Sequence, residues 1–510
     1  MIKNVLQLLE KSADIYPEKR AFSDQEGFVT YRDAVGQAKA VGTYLTGFGR
    51  QNSAVAIMLD KSKETLVSFM GTVYSGNFYV PIDENMPEDR VKKIFGVVRP
   101  FMIIADIKNR EKAESVADGV PVALYGDIAV TKVEEEKLRE VRAKSIDTDP
   151  VYALFTSGST GVPKGVVCCH RSVVDYSDWL VETFGFDSRT VFGNQTPFYF
   201  SMSVLDIYAT IRSGGELHIL PRKYFTFPMK LLVYMNEKQI NAIYWVPTML
   251  CLVANMRALE RNDMPFLKKI LFAGESMPVK QLNIWRKYVP DALYANLFGP
   301  TEITDIGVYY IVDREFTDDE SLPIGRACDN VGVLILNGED KEAAAGEMGE
   351  LCIRGSFLAL GYYNDETKTN SSFVQNPLNT QYPDLIYRTG DIVSVNERGE
   401  LLYHGRRDFQ IKRQGNRIEL GEIEAAAGGM SEVEACACIY EKQKIILFYQ
   451  GLGVSQEDLQ NMVEKKLPSY MFPDIYIKLP RFPVNANGKI DRKGLREGYL
   501  SGEIRELGNV

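Results

Sequence analysis

Apolar residues recur at helical spacing from Val5 to about Phe48, broken by a turn around Ser23 to Gly27 and by Thr30-Tyr31, where a hydroxyl is placed to cap the next helix. The period then changes. Ala54-Val55-Ala56-Ile57-Met58-Leu59, Phe78-Tyr79-Val80-Pro81-Ile82-Asp83 and Met102-Ile103-Ile104-Ala105 are short apolar runs separated by helix-like segments, which predicts parallel strands covered on both faces. From Lys108 to Asp149 the chain is charged and weakly patterned and reads as a surface connection. A strand ends at Leu154-Phe155, another begins near Val166, and His170-Arg171-Ser172-Val173 starts a helix. Asn194 to Ser203 reads as an aromatic-rich loop before a helix from Val204. Ala242 to Thr248 and Lys269 to Glu275 each run as an apolar strand into a Pro or Gly turn, the place where open parallel sheets bind ligands. Near Asp391 the character changes, and from Phe409 to Leu495 roughly a hundred residues form short strands and two helices. The pattern predicts an α/β protein. Its large N-terminal domain of layered sheets and helices covers residues 1–407, and a small C-terminal α+β domain on a hinge at Arg407-Asp408 covers 408–510.

Composition narrows the function classes. At 510 residues, 45% hydrophobic and 25% charged, the chain is an ordinary soluble globular protein too long for one core. A net charge of -9 offers no basic footprint, so a nucleic-acid partner is not expected. No signal-peptide core follows Met1-Ile2-Lys3 and no apolar run reaches membrane-spanning length, so a cytoplasmic protein without membrane insertion is expected. The seven cysteines lack paired metal-ligand spacing and read as buried thiols. Three histidines leave little material for a histidine-based triad.

Four segments carry chemistry. Leu154-Phe155-Thr156-Ser157-Gly158-Ser159-Thr160-Gly161-Val162-Pro163-Lys164-Gly165-Val166 passes from apolar residues into hydroxyls, glycines and a lysine and back again. Glycines let the backbone approach a polyanion, hydroxyls donate to phosphate oxygens and Lys164 adds a compact charge, so the segment reads as a triphosphate loop, with a flexible Gly/Ser turn as the alternative. The spacing differs from a Walker loop. Leu297-Phe298-Gly299-Pro300-Thr301-Glu302 combines an aromatic platform, a tight turn, a hydroxyl and a carboxylate; an acid serving a phosphate site needs a metal between, which makes Glu302 the candidate Mg²⁺ ligand. In Tyr387-Arg388-Thr389-Gly390-Asp391 the carboxylate can accept from two vicinal hydroxyls, and Gly405-Arg406-Arg407-Asp408 follows; for both, a surface turn is the alternative. Asn485-Ala486-Asn487-Gly488-Lys489-Ile490-Asp491-Arg492 reads by itself as an Asn-Gly turn with a solvated lysine.

In this order these segments resemble the signature motifs of the adenylate-forming superfamily, which includes amino-acid adenylation domains of peptide synthetases, acyl-CoA synthetases, luciferases and D-alanine:carrier-protein ligases. Further matches are Tyr79-Val80-Pro81-Ile82-Asp83, Gly349-Glu350-Leu351, Gly361-Tyr362, the run from Gly415 to Glu424 and Leu467-Pro468-Ser469-Tyr470-Met471-Phe472-Pro473, so the resemblance spans nearly the whole chain. The Asn-Gly-Lys-Ile-Asp ending and the Phe409-Gln410-Ile411-Lys412 segment look closer to peptide-synthetase domains and D-alanine:carrier-protein ligases than to acyl-CoA synthetases. The resemblance implies ATP-dependent activation of a carboxylic acid as acyl-adenylate, with ATP and Mg²⁺ as cofactors. The product would pass to the phosphopantetheine thiol of a separate carrier protein, or of CoA in the alternative reading as an acyl-CoA ligase; a non-catalytic nucleotide-binding relative is the third reading. It assigns Thr156, Ser157, Gly158, Ser159, Thr160, Gly161 and Lys164 to the phosphates, and Gly274, Glu275, Asn296, Phe298 and Gly299 to the rest of the nucleotide. Thr301 and Glu302 join phosphate and metal, Asp391 with Arg406 holds the ribose, Lys489 is catalytic, and Asp408 marks the hinge on which the small domain rotates.

By the same resemblance the acid pocket comprises Phe200, Ser201, Met202, Leu205, Tyr244, Leu271, Ala273, Leu297, Asp305 and Ile306. Here the chain departs from its amino-acid-activating relatives, which place an aspartate at the position of Ser201 to pair with the substrate's α-ammonium. A neutral serine forgoes a charge-assisted bond of roughly 1.5 to 3 kcal/mol. Asp305 is the acid on this wall; it points to solvent, or it receives an amine elsewhere on the substrate. The expected substrate is a small or medium acid with a displaced amino group, or with none.

Overall fold

The computed structural model describes residues 2–158, 161–483 and 490–504. The chain divides into two compact units: Met1–Glu84 with Val98–Phe155 and Gly165–Arg407, and Asn85–Val97 with Thr156–Lys164 and Asp408–Val510.

The first unit is built on the parallel strands that the short apolar runs announce. Ala54–Met58 pairs in parallel with Phe78–Pro81 on one side and Met102–Ala105 on the other. These belong to a seven-stranded sheet; a nine-stranded sheet and a five-stranded antiparallel sheet complete the layers. In the nine-stranded sheet Ala242–Trp245, Lys269–Phe272 and Leu293–Phe298 lie side by side in parallel, with Tyr244 opposite Leu271 and Leu271 opposite Ala295. Successive side chains on a strand point to opposite faces, so this register sorts residues by parity. Tyr244, Leu271, Ala273, Ala295 and Leu297 enter one core, and Trp245, Ile270, Phe272 and Tyr294 another. Among the described residues no helix is long and apolar enough to cross a membrane.

Thr30 caps helix Tyr31–Thr46 by accepting from the Asp33 N–H, as its position suggests. Three expectations need correction. The segment before it contains two short strands, Arg20–Ser23 and Phe28–Thr30, the first held by parallel pairing with Glu216–Ile219. The weakly patterned stretch after Lys108 is more than a connection: Val122–Leu124 is the outermost strand of the seven-stranded sheet and Glu135–Lys144 is a helix. Strands of three or four residues carry too little periodicity to announce themselves. From Asp408 onward there are three α-helices among the described residues, Leu420–Ala427, Gln456–Lys466 and Arg492–Ser501, where two were expected. There a two-residue turn, Gln414-Gly415, closes the hairpin of Gln410–Arg413 and Asn416–Glu419, with φ of 51° and 76°.

One buried histidine ties the first helix, Leu6–Ile15, to the core. His170 Nδ1 accepts from the Val5 N–H at 3.3 Å, and burial pushes its imidazole down to about 4, with Arg142 acting in the same direction. A histidine with a depressed folded pKa contributes stability that is complete above its ordinary value and is lost as pH falls through the folded one. Thermal melts should therefore show a loss of roughly 3 kcal/mol between about pH 6.5 and 4, and His170→Gln should flatten that part of the profile.

Candidate functional site

The turn after strand Leu293–Phe298 places the metal-ligand candidate. A Cβ at Gly299 would lie 2.2 Å from the Asp305 carbonyl oxygen, so the fold-back of this turn demands glycine. Thr304 takes φ 70°, a conformation costly for a β-branched residue, and its hydroxyl holds the turn by donating to the Phe357 carbonyl at 2.8 Å. Glu302 is fully buried between these constraints; its Oε1 accepts from the Tyr362 hydroxyl at 2.6 Å. The Thr301 hydroxyl donates to Ser201 Oγ at 3.2 Å, joining two residues 100 positions apart. The ring of Phe298 sits 5.5 Å from that of Tyr403.

Asp391 and Arg406 face each other across the antiparallel strands Leu385–Val395 and Leu401–Arg406, and Arg406 Nη1 donates to Asp391 Oδ1 at 3.0 Å. Both side chains are buried, at 8% exposure for Arg406 and 2% for Asp391, so the arginine holds the carboxylate in a fixed orientation. Gly274 follows strand Lys269–Phe272 with φ 90°. Glu275 spends Oε2 on the Thr248 N–H and hydroxyl, at the start of helix Pro247–Asn255. Asn296 donates its amide to the Pro323 carbonyl at 2.8 Å.

The proposed acid-pocket residues all lie in the first unit. Met202, Leu205, Tyr244, Leu271, Ala273, Leu297 and Ile306 belong to one buried cluster, while Phe200 and Ser201 are half-buried. Asp305 is not directed to solvent: it is buried, and its Oδ2 accepts from Tyr176 at 2.8 Å and Tyr244 at 3.2 Å. Burial first, then the Asp305 charge, pushes both phenols well above their usual range, so they remain donors. One residue past Leu205, the Asp206 carboxyl is pushed up to about 8 by burial, against the pull of a 2.6 Å bond from Asn194.

In the second unit lies the glycine-rich loop. Ser157 Oγ donates to the Arg417 carbonyl at 2.9 Å and accepts from the Glu419 N–H at 3.1 Å. A Cβ at Gly158 would stand 2.0 Å from the Val162 carbonyl oxygen, and the Gly158 N–H donates to Glu422 Oε2 at 3.2 Å. Gly161 closes the turn with φ 76°, and Lys164 Nζ is 3.9 Å from Glu419. The Thr156 hydroxyl is buried without a hydrogen-bond partner among the described residues. Asp408 Oδ1 accepts from the Gln410 N–H at 3.2 Å. Ser159, Thr160 and Lys489 lie outside the described residues.

Sequence reasoning missed Tyr176, which reaches Asp305 across 129 positions, and Arg90, whose buried guanidinium pairs with Glu422 across 332. Tyr176 lies on the buried face of helix His170–Phe184, and no local pattern distinguishes it from a packing aromatic. The cysteine reading holds in kind: Cys168, Cys169, Cys328, Cys352 and Cys438 are buried and Cys251 and Cys436 partly so, and burial pushes the Cys168 thiol up to about 12.

Residues 9–363 match the family described as AMP-binding enzyme. Zwittermicin A synthase ZmaJ of Bacillus cereus is 30% identical over 504 residues, 96% of this chain and 94% of that protein. D-alanine--D-alanyl carrier protein ligase of Bacillus licheniformis is 29% identical, over 97% of this chain and 99% of that one. Among solved structures, the Vibrio cholerae adenylation domain AlmE in complex with glycyl-adenosine-5'-phosphate superposes with a TM-score of 0.85 at 21% identity, over 98% of both chains, which shows the shared fold. With the family matched over most of its length and a near-full-length relative at 30% identity, the chain belongs to the AMP-binding enzymes.

Proposed function

We propose that the protein activates a small carboxylic or amino acid with ATP and loads it onto the phosphopantetheine thiol of a separate carrier protein. As an AMP-binding enzyme it is an adenylate-forming ligase that uses ATP. The similar protein from Bacillus licheniformis is a D-alanine--D-alanyl carrier protein ligase, which supports a carrier as acceptor. The observation that carries the reading is the fully buried Glu302 on its glycine-dependent turn, a hard oxygen donor oriented by the Tyr362 hydroxyl.

In the first step a substrate carboxylate oxygen attacks the α-phosphorus of ATP, the bond to the bridging oxygen breaks, and pyrophosphate leaves. In the second, the carrier's sulfur attacks the acyl carbon, AMP leaves with the carboxyl oxygen, and the thiol proton is released. Lys164 and the N–H groups of the loop at Ser157 to Gly161 neutralise the leaving phosphates. Asp391, aligned by Arg406, accepts from the ribose hydroxyls. Lys489 balances the charge that builds as carboxylate meets phosphorus. Among the described residues no cluster of three or more His, Cys, Asp or Glu side chains could cage a metal by itself, and a single carboxylate such as Glu302 suits Mg²⁺ held largely by phosphate oxygens. When bound, that ion supplies charge neutralisation at the phosphates.

The test is substrate-dependent exchange of labelled pyrophosphate into ATP across D- and L-amino acids, β-amino acids, aryl acids and short acids, with Lys489→Ala as blank. Thioester formation is then compared between an added carrier protein and free CoA. Exchange with no acid in the panel, or loading of CoA alone, would overturn the reading.

Ser201 and Asp305 direct the choice of acid. Ser201 offers a hydroxyl, already engaged with Thr301, where an ammonium would need a carboxylate. Asp305, with two tyrosines donating to one of its oxygens, is the candidate partner for an amine set away from the α-carbon. Ser201→Asp should move kcat/KM toward α-amino acids by at least about tenfold, the value of one charge-assisted bond. An unchanged ranking of acids would remove Ser201 from the specificity argument.

A further inference from the structure

The glycine-rich loop is already in contact with an anion that belongs to the protein. Glu422 stands in the first turn of helix Leu420–Ala427 and divides its carboxylate between two donors: Oε2 takes the Gly158 N–H at 3.2 Å, and Oε1 takes Arg90 Nη1, from helix Glu88–Val98. Both side chains of the ion pair are almost fully buried, at 4% and 2% exposure. Arg90 has a donor to spare, for its Nε is buried without a hydrogen-bond partner among the described residues. Neighbouring bonds lay the same segment along the loop: Ser157 bridges the Arg417 carbonyl and the Glu419 N–H, and Lys164 lies 3.9 Å from Glu419. Gly161 would bring an added Cβ to 3.3 Å from that of Ala425.

A loop amide has one proton to donate. A phosphate oxygen at Gly158 would need the bond that Glu422 holds, and it would bring like charge against two carboxylates in a buried setting. Carboxylate and phosphate are therefore alternatives at this amide. Arginine accepts either anion with the same fork of donors, so it loses no pairing in the exchange. Resting on the reading of this loop as the phosphate site, we infer that Glu422 is a built-in competitor of the terminal phosphates of ATP and of pyrophosphate, and that Arg90 changes partner between them. The carboxylate takes over the amide and the guanidinium as pyrophosphate departs, which speeds release of that product and holds the loop against its return.

Calorimetry of the full chain with magnesium pyrophosphate tests this. Glu422→Gln keeps the side chain's size and removes its charge; pyrophosphate should then bind about tenfold more tightly, on the scale of one charge-assisted bond. Adding Arg90→Gln to that variant should abolish the gain, and a gain that survives would overturn the role given to Arg90. A measurement on the unaltered protein guards against damage by substitution: pyrophosphate should accelerate hydrogen exchange of the amides from Arg417 to Ala427, and unchanged exchange would overturn the competition. Lys164→Ala separates this inference from the one beneath it. If that variant loses pyrophosphate binding while Glu422→Gln leaves it unchanged, the competition is wrong and the phosphate site stands; if Lys164→Ala also binds normally, the loop is not the phosphate site.

Discussion

Glu302→Gln is expected to slow substrate-dependent pyrophosphate exchange by roughly a hundred- to a thousandfold while leaving the fold intact. Glutamine has the volume of glutamate and keeps an oxygen that accepts from Tyr362, so the turn from Gly299 to Thr304 retains its bonds. What disappears is the negative charge. A neutral amide is a poor ligand for a hard divalent cation, and roughly 3 to 4 kcal/mol of charge stabilisation at the reacting phosphates corresponds to that loss of rate. The check is exchange at saturating ATP beside a thermal melt. Retention of more than a tenth of the rate, with an unchanged melt, would exclude Glu302 from metal binding.

The second large effect is expected at Asp391, where Asp391→Asn should raise the KM for ATP by about a hundredfold and also lower stability. One substitution acts on two links of the chain. A carboxylate accepts from two vicinal hydroxyls at once, and an asparagine supplies one acceptor and a donor in the wrong place. Arg406, 8% exposed, would lose the buried carboxylate that faces it, and breaking such a pair costs roughly 3 to 5 kcal/mol. The two consequences separate in Asp391→Asn with Arg406→Gln. Removing both charges should restore most of the stability and none of the affinity for ATP. Recovery of ATP binding together with stability would mean that Asp391 is structural.

Several parts of this molecule were legible in the residues alone. The parallel strands Ala54–Met58, Phe78–Pro81 and Met102–Ala105 follow from apolar runs too short for helices and bounded by polar turns. The Thr30 cap follows from a hydroxyl at the right spacing. Thr156 to Lys164, Phe298 to Glu302 and Tyr387 to Asp391 could be singled out as candidates because each gathers donors, charge and turn residues into a few consecutive positions; their roles remain proposals that the exchange experiments test.

Contacts between distant positions were decided by the tertiary structure. The three-residue strand Val122–Leu124 exists because Met102–Ala105 offers an edge, and no pattern within three residues can encode that edge. Asp305 had two readings in sequence; packing chose the buried one by bringing Tyr176 and Tyr244 to the same oxygen from 129 and 61 residues away. Ser201 acquired Thr301 as a partner, and Arg90 acquired Glu422, by the same route. Local geometry is set by each residue's own dihedrals and near neighbours, which the sequence spells out. Which carboxylate meets which cation is set by how sheets and helices stack, and that depends on the whole chain at once.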